Sequence, residues 1–128
     1  LIKSSDIVSL HIPLVNETKN IIDKTKLDLM DGKYLINTSR GKLINEAYLY
    51  NKLQKGHILG AGLDVFVNEP STGISLDLRK LNNVVATCHT SAYDPFSIKQ
   101  VANKSIQNIK NYFEDKHNRI NKLVTAYE

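Results

Sequence analysis

The chain has 128 residues, with 17 Lys+Arg against 13 Asp+Glu, four His and one Cys. At this length one domain with its own core is the natural expectation, and the single Cys88 excludes an internal disulfide and any multi-Cys zinc site. No apolar run reaches the roughly 18 residues that a membrane-crossing helix needs, so the composition is that of a soluble globular chain of a reducing compartment.

The net charge of +4 comes from scattered Lys; Arg stands only at 40, 79 and 119, and Trp is absent. Nucleic-acid binding would call for a basic stripe interleaved with Arg and aromatics, so the lysines read as a solvating surface. The chain is small for an enzyme that must hold both a large cofactor and a substrate.

In chain order, Ile7 to Ile12 form a short apolar run ended by Pro13, a predicted strand. Asp23 is placed to cap a short helix through Leu27, Leu29 and Met30, with Gly32 at its end. Tyr34 to Asn37 is a second strand. Asn45 caps a helix over 46–55, with Ala47, Leu49, Tyr50 and Leu53 expected inward and Gly56 ending it. Ile58 to Val65 is a third strand, whose small residues predict close backbone approach on one face, and Val84 to Thr87 a fourth. Asp94-Pro95 is a cap and a helix-opening proline. After it, Ile98, Ala102, Ile106, Ile109 and Phe113 recur at the spacing of an amphipathic helix. A polar segment from Glu114 to Asn121 reads as a turn into a short tail.

The rhythm strand, helix, strand, helix, strand, strand, helix is that of an α/β domain. Its continuously apolar strands suit a parallel sheet covered on both faces. Ligands of such sheets gather at the carboxyl ends of strands. There the chain carries His11-Ile12-Pro13, Asn37 to Gly41, Asp64 with Glu69-Pro70, and Cys88 to Ala92. Arg40 offers a fork that holds a carboxylate in two-point contact. His89 can give or take a proton, and a carboxylate such as Glu69 fixes the imidazole tautomer. Together these types suit redox chemistry at a hydroxyl or keto group beside a carboxylate, with a cofactor to carry the hydride. Each also has a plain structural reading: Arg40 as surface, Glu69 as loop, His89 as packing at a helix entrance, Cys88 as small filler. His57 and His117 are read as structural, and His11 as acting through its backbone alone.

The runs Ser9-Leu10-His11-Ile12-Pro13-Leu14, Leu35 to Gly41, Gly62 to Phe66 with Glu69-Pro70, and Ala86-Thr87-Cys88-His89 resemble, in order and spacing, the D-isomer-specific 2-hydroxyacid dehydrogenases. The resemblance implies NAD(P)-dependent interconversion of a D-2-hydroxy acid and its 2-keto acid. It implies that Arg40 orients the substrate carboxylate and that Glu69 and His89 form the acid/base pair. Ile12, Pro13, Thr38, Ser39, Arg40, Asp64, His89, Ser91 and Ala92 correspond to cofactor-lining positions, and no metal is implied. Glu69 argues against the similar formate dehydrogenase branch, which carries Gln there. Cys88 stands where the family usually has Pro.

The family's Gly-rich dinucleotide fingerprint lies upstream of residues 9–14, and no such motif occurs here. The resemblance therefore implies a partial Rossmann-type sheet over residues 1–93, the C-terminal part of the cofactor domain. Residues 94–128 would be a crossing helix and tail returning toward a substrate domain. It further implies a cytoplasmic homodimer, with the 128 residues alone inactive. A non-enzymatic, dinucleotide-sensing corepressor of the same fold is the alternative.

Overall fold

The computed structural model describes residues 1–116, so His117 and the tail beyond it lie outside the described residues. Two compact units are present, one of Leu1–His89 and one that begins at Thr90.

The first unit is built on four parallel strands, β1 (Ile7–Leu10), β2 (Tyr34–Asn37), β3 (Gly60–Leu63) and β4 (Val84–Ala86), in the order β1-β2-β3-β4. Their register sets Leu10, Asn37, Leu63 and Ala86 side by side at the carboxyl edge. Helices α1 (Lys24–Asp28), α2 (Glu46–Gln54) and α3 (Ile74–Arg79) connect them.

Local chemistry starts two of these helices. The Asp23 carboxylate accepts from the Lys26 amide, and the Asn45 side chain accepts from the Tyr48 amide. Donation from the Thr25 hydroxyl and the Lys26 amide holds the Asp23 carboxyl down at about 2. Gly32 and Gly56, in the turns that follow α1 and α2, take left-handed φ of 73° and 71°.

α3 corrects the sequence reading, which runs the third strand directly to the fourth. Parallel neighbours need a crossover, and α3 supplies it. Its six residues, Ile-Ser-Leu-Asp-Leu-Arg, alternate apolar and polar, and its N-cap Gly73 makes no side-chain cap. Neither a helical period nor a cap was there to be read.

Two further expectations are corrected. Val8, Leu10, Leu35, Ala61 and Leu63 join Leu27, Met30, Leu49, Leu53 and Leu78 in one core, so α1, α2 and α3 all cover the same sheet face. On the other face Ile7, Tyr34 and Val85 are exposed, so among the described residues the first unit builds its core on one side of the sheet. Strands added in sequence order through crossovers of one hand place every helix on one side. On α2, Leu49 and Leu53 are buried as expected, but Ala47 is exposed and Glu46 and Lys52 are buried instead. Lys52 sits between Asp28 and Asp31 at 3.2 and 2.5 Å and ties α2 to the end of α1.

In the second unit α4 (Pro95–Phe113) begins where expected, with the Asp94 carboxylate accepting from the Ser97 amide. Ile98, Ile106, Ile109 and Phe113 of its apolar stripe are exposed.

Leu49→Ala is expected to destabilise the fold by about 2–5 kcal/mol, because the side chain is fully buried. Ala47→Ser should change stability by no more than about 0.5 kcal/mol. Urea unfolding followed by circular dichroism measures both.

Candidate active site

Parallel strands in register bring the β1, β2, β3 and β4 exits to one edge. The β2 exit is shaped by Asn37, which is fully buried. Its Oδ1 accepts from the Ser39 amide at 3.0 Å and its Nδ2 donates to the Arg40 carbonyl at 3.0 Å. One side chain thus closes the loop that presents Arg40. The Ser39 hydroxyl donates to the Leu10 carbonyl at 2.7 Å, joining this loop to the end of β1. Arg40 donates through Nη1 to the Ser39 carbonyl and pairs with no carboxylate among the described residues.

Gly41 then brings the loop against the β3 exit. A Cβ at this position would lie 2.0 Å from the Phe66 carbonyl carbon and 2.4 Å from the Val67 nitrogen. Only glycine allows that approach of two backbones.

From the β3 exit, Glu69 Oε1 accepts from the Phe66 amide at 2.9 Å, and Oε2 takes His89 Nδ1 at 2.8 Å. The Phe66 N–H, followed by the His89 contact, holds the Glu69 carboxyl below the usual carboxylate range against the opposing effect of burial. His89 has a left-handed φ of 57°, and its amide donates to the Asp64 carbonyl at 2.9 Å. Non-glycine residues adopt such a φ where the surroundings hold them there, often at functional sites. With Nδ1 on the carboxylate, Nε2 is the nitrogen left to exchange a proton.

The structure brings Arg40, Glu69 and His89 together: all three line one hollow of about 250 Å³, with Leu14, Val65 and Phe66. A second cleft of about 240 Å³ is lined by Asp64, Glu69, Thr87, Cys88, His89 and Arg79 among others. Asp64 is buried and its carboxylate receives the Thr87 hydroxyl. Ile12 is half-buried against the core, while Pro13 and Thr38 are exposed at the same strand ends. Ser91 and Ala92 are exposed in the second unit. Cys88 is a free, exposed thiol. His11 is exposed, and its ring contacts the Ser9 hydroxyl at 2.8 Å. Among the described residues no cluster of His, Cys, Asp and Glu could hold a metal ion, and no helix is long and apolar enough to cross a membrane.

In the sequence Asn37 and Gly41 are only members of a longer run. The Asn-x-Ser spacing was a legible signal for the Asn37 turn. The contact of Gly41 with Phe66 joins residues far apart in sequence and had no local signal.

Comparison with known proteins identifies the family. Residues 1–91 match the D-isomer specific 2-hydroxyacid dehydrogenase, NAD binding domain. The chain belongs to that family. The hydroxypyruvate reductase of Thermotoga maritima is 40% identical over 111 residues, covering 85% of this chain and 36% of the relative. A glyoxylate reductase of Thermococcus litoralis is 47% identical over 90 residues, covering 70% of this chain and 27% of the relative. The NAD-complexed D-isomer specific 2-hydroxyacid dehydrogenase of Lactobacillus delbrueckii ssp. bulgaricus superposes with a TM-score of 0.83 at 34% identity. That match covers 89% of this chain and 39% of that one. An acyclic imino acid reductase in complex with NADPH and D-Arg superposes with a TM-score of 0.81 at 38% identity, covering 90% of this chain and 36% of that one. The chain thus spans less than two-fifths of the length of these relatives.

Two outcomes follow from the geometry. Gly41→Ala should destabilise the fold by about 1–3 kcal/mol, as a forced contact with backbone does, read by urea unfolding. Glu69, whose carboxyl is held low in the fold, contributes stability present above its unfolded value of 4.5 and lost as pH falls through its lower folded value. Wild type should therefore lose more thermal stability than Glu69→Gln between about pH 6 and about pH 3, measured by parallel melts.

Proposed function

We propose that the chain serves as the cofactor-side part of a longer NAD-dependent dehydrogenase that interconverts a D-2-hydroxy acid and its 2-keto acid. The observation that carries this reading is the shared hollow of Arg40, Glu69 and His89, with His89 Nδ1 on Glu69 Oε2 at 2.8 Å. Arg40 binds the substrate carboxylate through its planar fork and fixes the adjacent carbonyl. His89 gives the Nε2 proton to the carbonyl oxygen during reduction and takes it back from the hydroxyl during oxidation. Glu69, itself anchored by the Phe66 amide, orients the imidazole through its contact with Nδ1.

A nicotinamide dinucleotide fits the chemistry of the residues gathered at the carboxyl edge. Ile12, Pro13, Thr38, Ser39, Arg40, Asp64 and His89 would hold it. When bound, the reduced form supplies a hydride to the carbonyl carbon. NAD is the assigned cofactor, and an NADPH-complexed neighbour keeps NADP within the test. The reductases and dehydrogenases among the relatives favour this reading over a non-enzymatic corepressor. The reading extends to residues 1–93 acting within the cofactor domain and 94–128 as a crossing helix and tail. The whole protein is assigned as a cytoplasmic homodimer, its mass to be read by light scattering.

The test uses the full-length protein, with NADH or NADPH and a panel of 2-keto acids including glyoxylate and hydroxypyruvate. His89→Gln should lower kcat by about 10²–10⁴-fold with dinucleotide affinity unchanged. Arg40→Gln should raise KM for the 2-keto acid as well as lowering kcat. The reading fails if no 2-keto acid is reduced, or if His89→Gln turns over like wild type.

A further inference from the structure

The dehydrogenase reading uses Arg40, Glu69 and His89, yet the most deeply buried carboxylate near them belongs to none of these roles. Glu46 opens α2, five residues beyond Gly41, and is only 6% exposed. First-turn glutamates ordinarily face water and interact with the helix dipole. This one points into the protein and makes two hydrogen bonds. Its Oε1 accepts from the Val67 amide at 2.7 Å, and its Oε2 accepts from the Ser75 hydroxyl at 2.6 Å. Ser75, fully buried on α3, in turn accepts from the Asn68 amide at 3.3 Å. Two successive backbone N–H groups of the loop between β3 and α3 are thereby held, one directly and one through Ser75. The next residue in that loop is Glu69.

We infer that Glu46, with Ser75, is a positioning residue that holds the Val67–Asn68 backbone and so sets where Glu69 meets His89. The inference rests on the dehydrogenase reading above. Three observations support it. The bridge joins α2, which begins six residues after Arg40, to the loop that carries Glu69. Gly41 makes its close backbone approach to Phe66 and Val67, the same segment. And the arrangement is costly enough to need a reason. Burial, with a smaller contribution from the negative charge of Glu69, pushes the Glu46 carboxyl above the usual range despite its two hydrogen bonds. An apolar side chain at this site would avoid that cost but would leave the Val67 amide and the Ser75 hydroxyl unpaired.

Glu69 is half-exposed, and its Oε1 is already committed to the Phe66 amide. If the backbone one and two residues before it moved, the carboxylate would lose its alignment with His89 Nδ1. A misplacement of about 1 Å can cost about 10²-fold in rate.

The experiment compares Glu46→Ala, Glu46→Gln and Ser75→Ala in the full-length dehydrogenase, with two readouts. In steady-state reduction of a 2-keto acid, Glu46→Ala should lower kcat by about tenfold or more, with KM for NADH within about twofold of wild type. Glu46→Gln keeps an oxygen for the Val67 amide and an N–H for Ser75, and should recover to within about threefold of wild type. Ser75→Ala should fall between them. In amide hydrogen exchange, Glu46→Ala should free the Val67 and Asn68 amides while those of Leu35 and Leu63 keep their protection, which separates local release from unfolding.

Equal kcat for Glu46→Ala and wild type, or no recovery in Glu46→Gln, overturns the inference. So does unchanged exchange at Val67 and Asn68 in Glu46→Ala. A parent enzyme that reduces no 2-keto acid overturns the dehydrogenase reading instead, and the exchange arm then still decides whether Glu46 holds the loop.

Discussion

Leu10, Asn37, Leu63 and Ala86 stand side by side because all four strands run parallel in one register. Nearly every other feature depends on that alignment. A parallel strand must return through a crossover, so the chain leaves the sheet four times at the same edge. With strands in sequence order, crossovers of one hand put α1, α2 and α3 on one face, where Leu27, Leu49 and Leu78 build a common core. The exits then meet at the opposite end from the entries. Arg40, Glu69 and His89, separated widely in sequence, come to line one hollow without any of them belonging to that core.

Alignment brings the loops near, and a few polar and steric contacts settle their distances. Asn37 closes its own loop, the Ser39 hydroxyl reaches the end of β1, Gly41 lets two backbones touch, and Glu46 spans to Val67. Among the described residues no buried side-chain nitrogen or oxygen lacks a hydrogen-bond partner. That full satisfaction allows polar groups to sit so deep, since each unpaired one would cost stability.

Glu46 and Glu69 show how local surroundings divide two carboxylates on neighbouring segments. Both accept two hydrogen bonds. Glu69 lies in a half-open loop, where its donors prevail and its carboxyl is held low; Glu46 is enclosed, and desolvation prevails and pushes its carboxyl up.

Much of this was legible along the chain. Asp23, Asn45 and Asp94 announce their helices because capping is a matter of one side chain and an amide two or three residues on. Arg40, Glu69 and His89 stood out because their types, order and place after strands matched a family pattern. The helix α3 was hidden because six alternating residues carry no helical period. The single covered face of the sheet was hidden because an apolar strand reads alike whether one side or both are packed. Glu46 looked like an ordinary first-turn acid, and Gly41 like one more loop glycine. The sequence by itself determined the strands, the capped helices and the chemistry available, since these depend on residues within a turn of one another. Tertiary structure alone decided which loops touch, which carboxylate is buried and how closely Arg40 approaches the Glu69–His89 pair, because those distances are set by contacts between residues 20 or more positions apart.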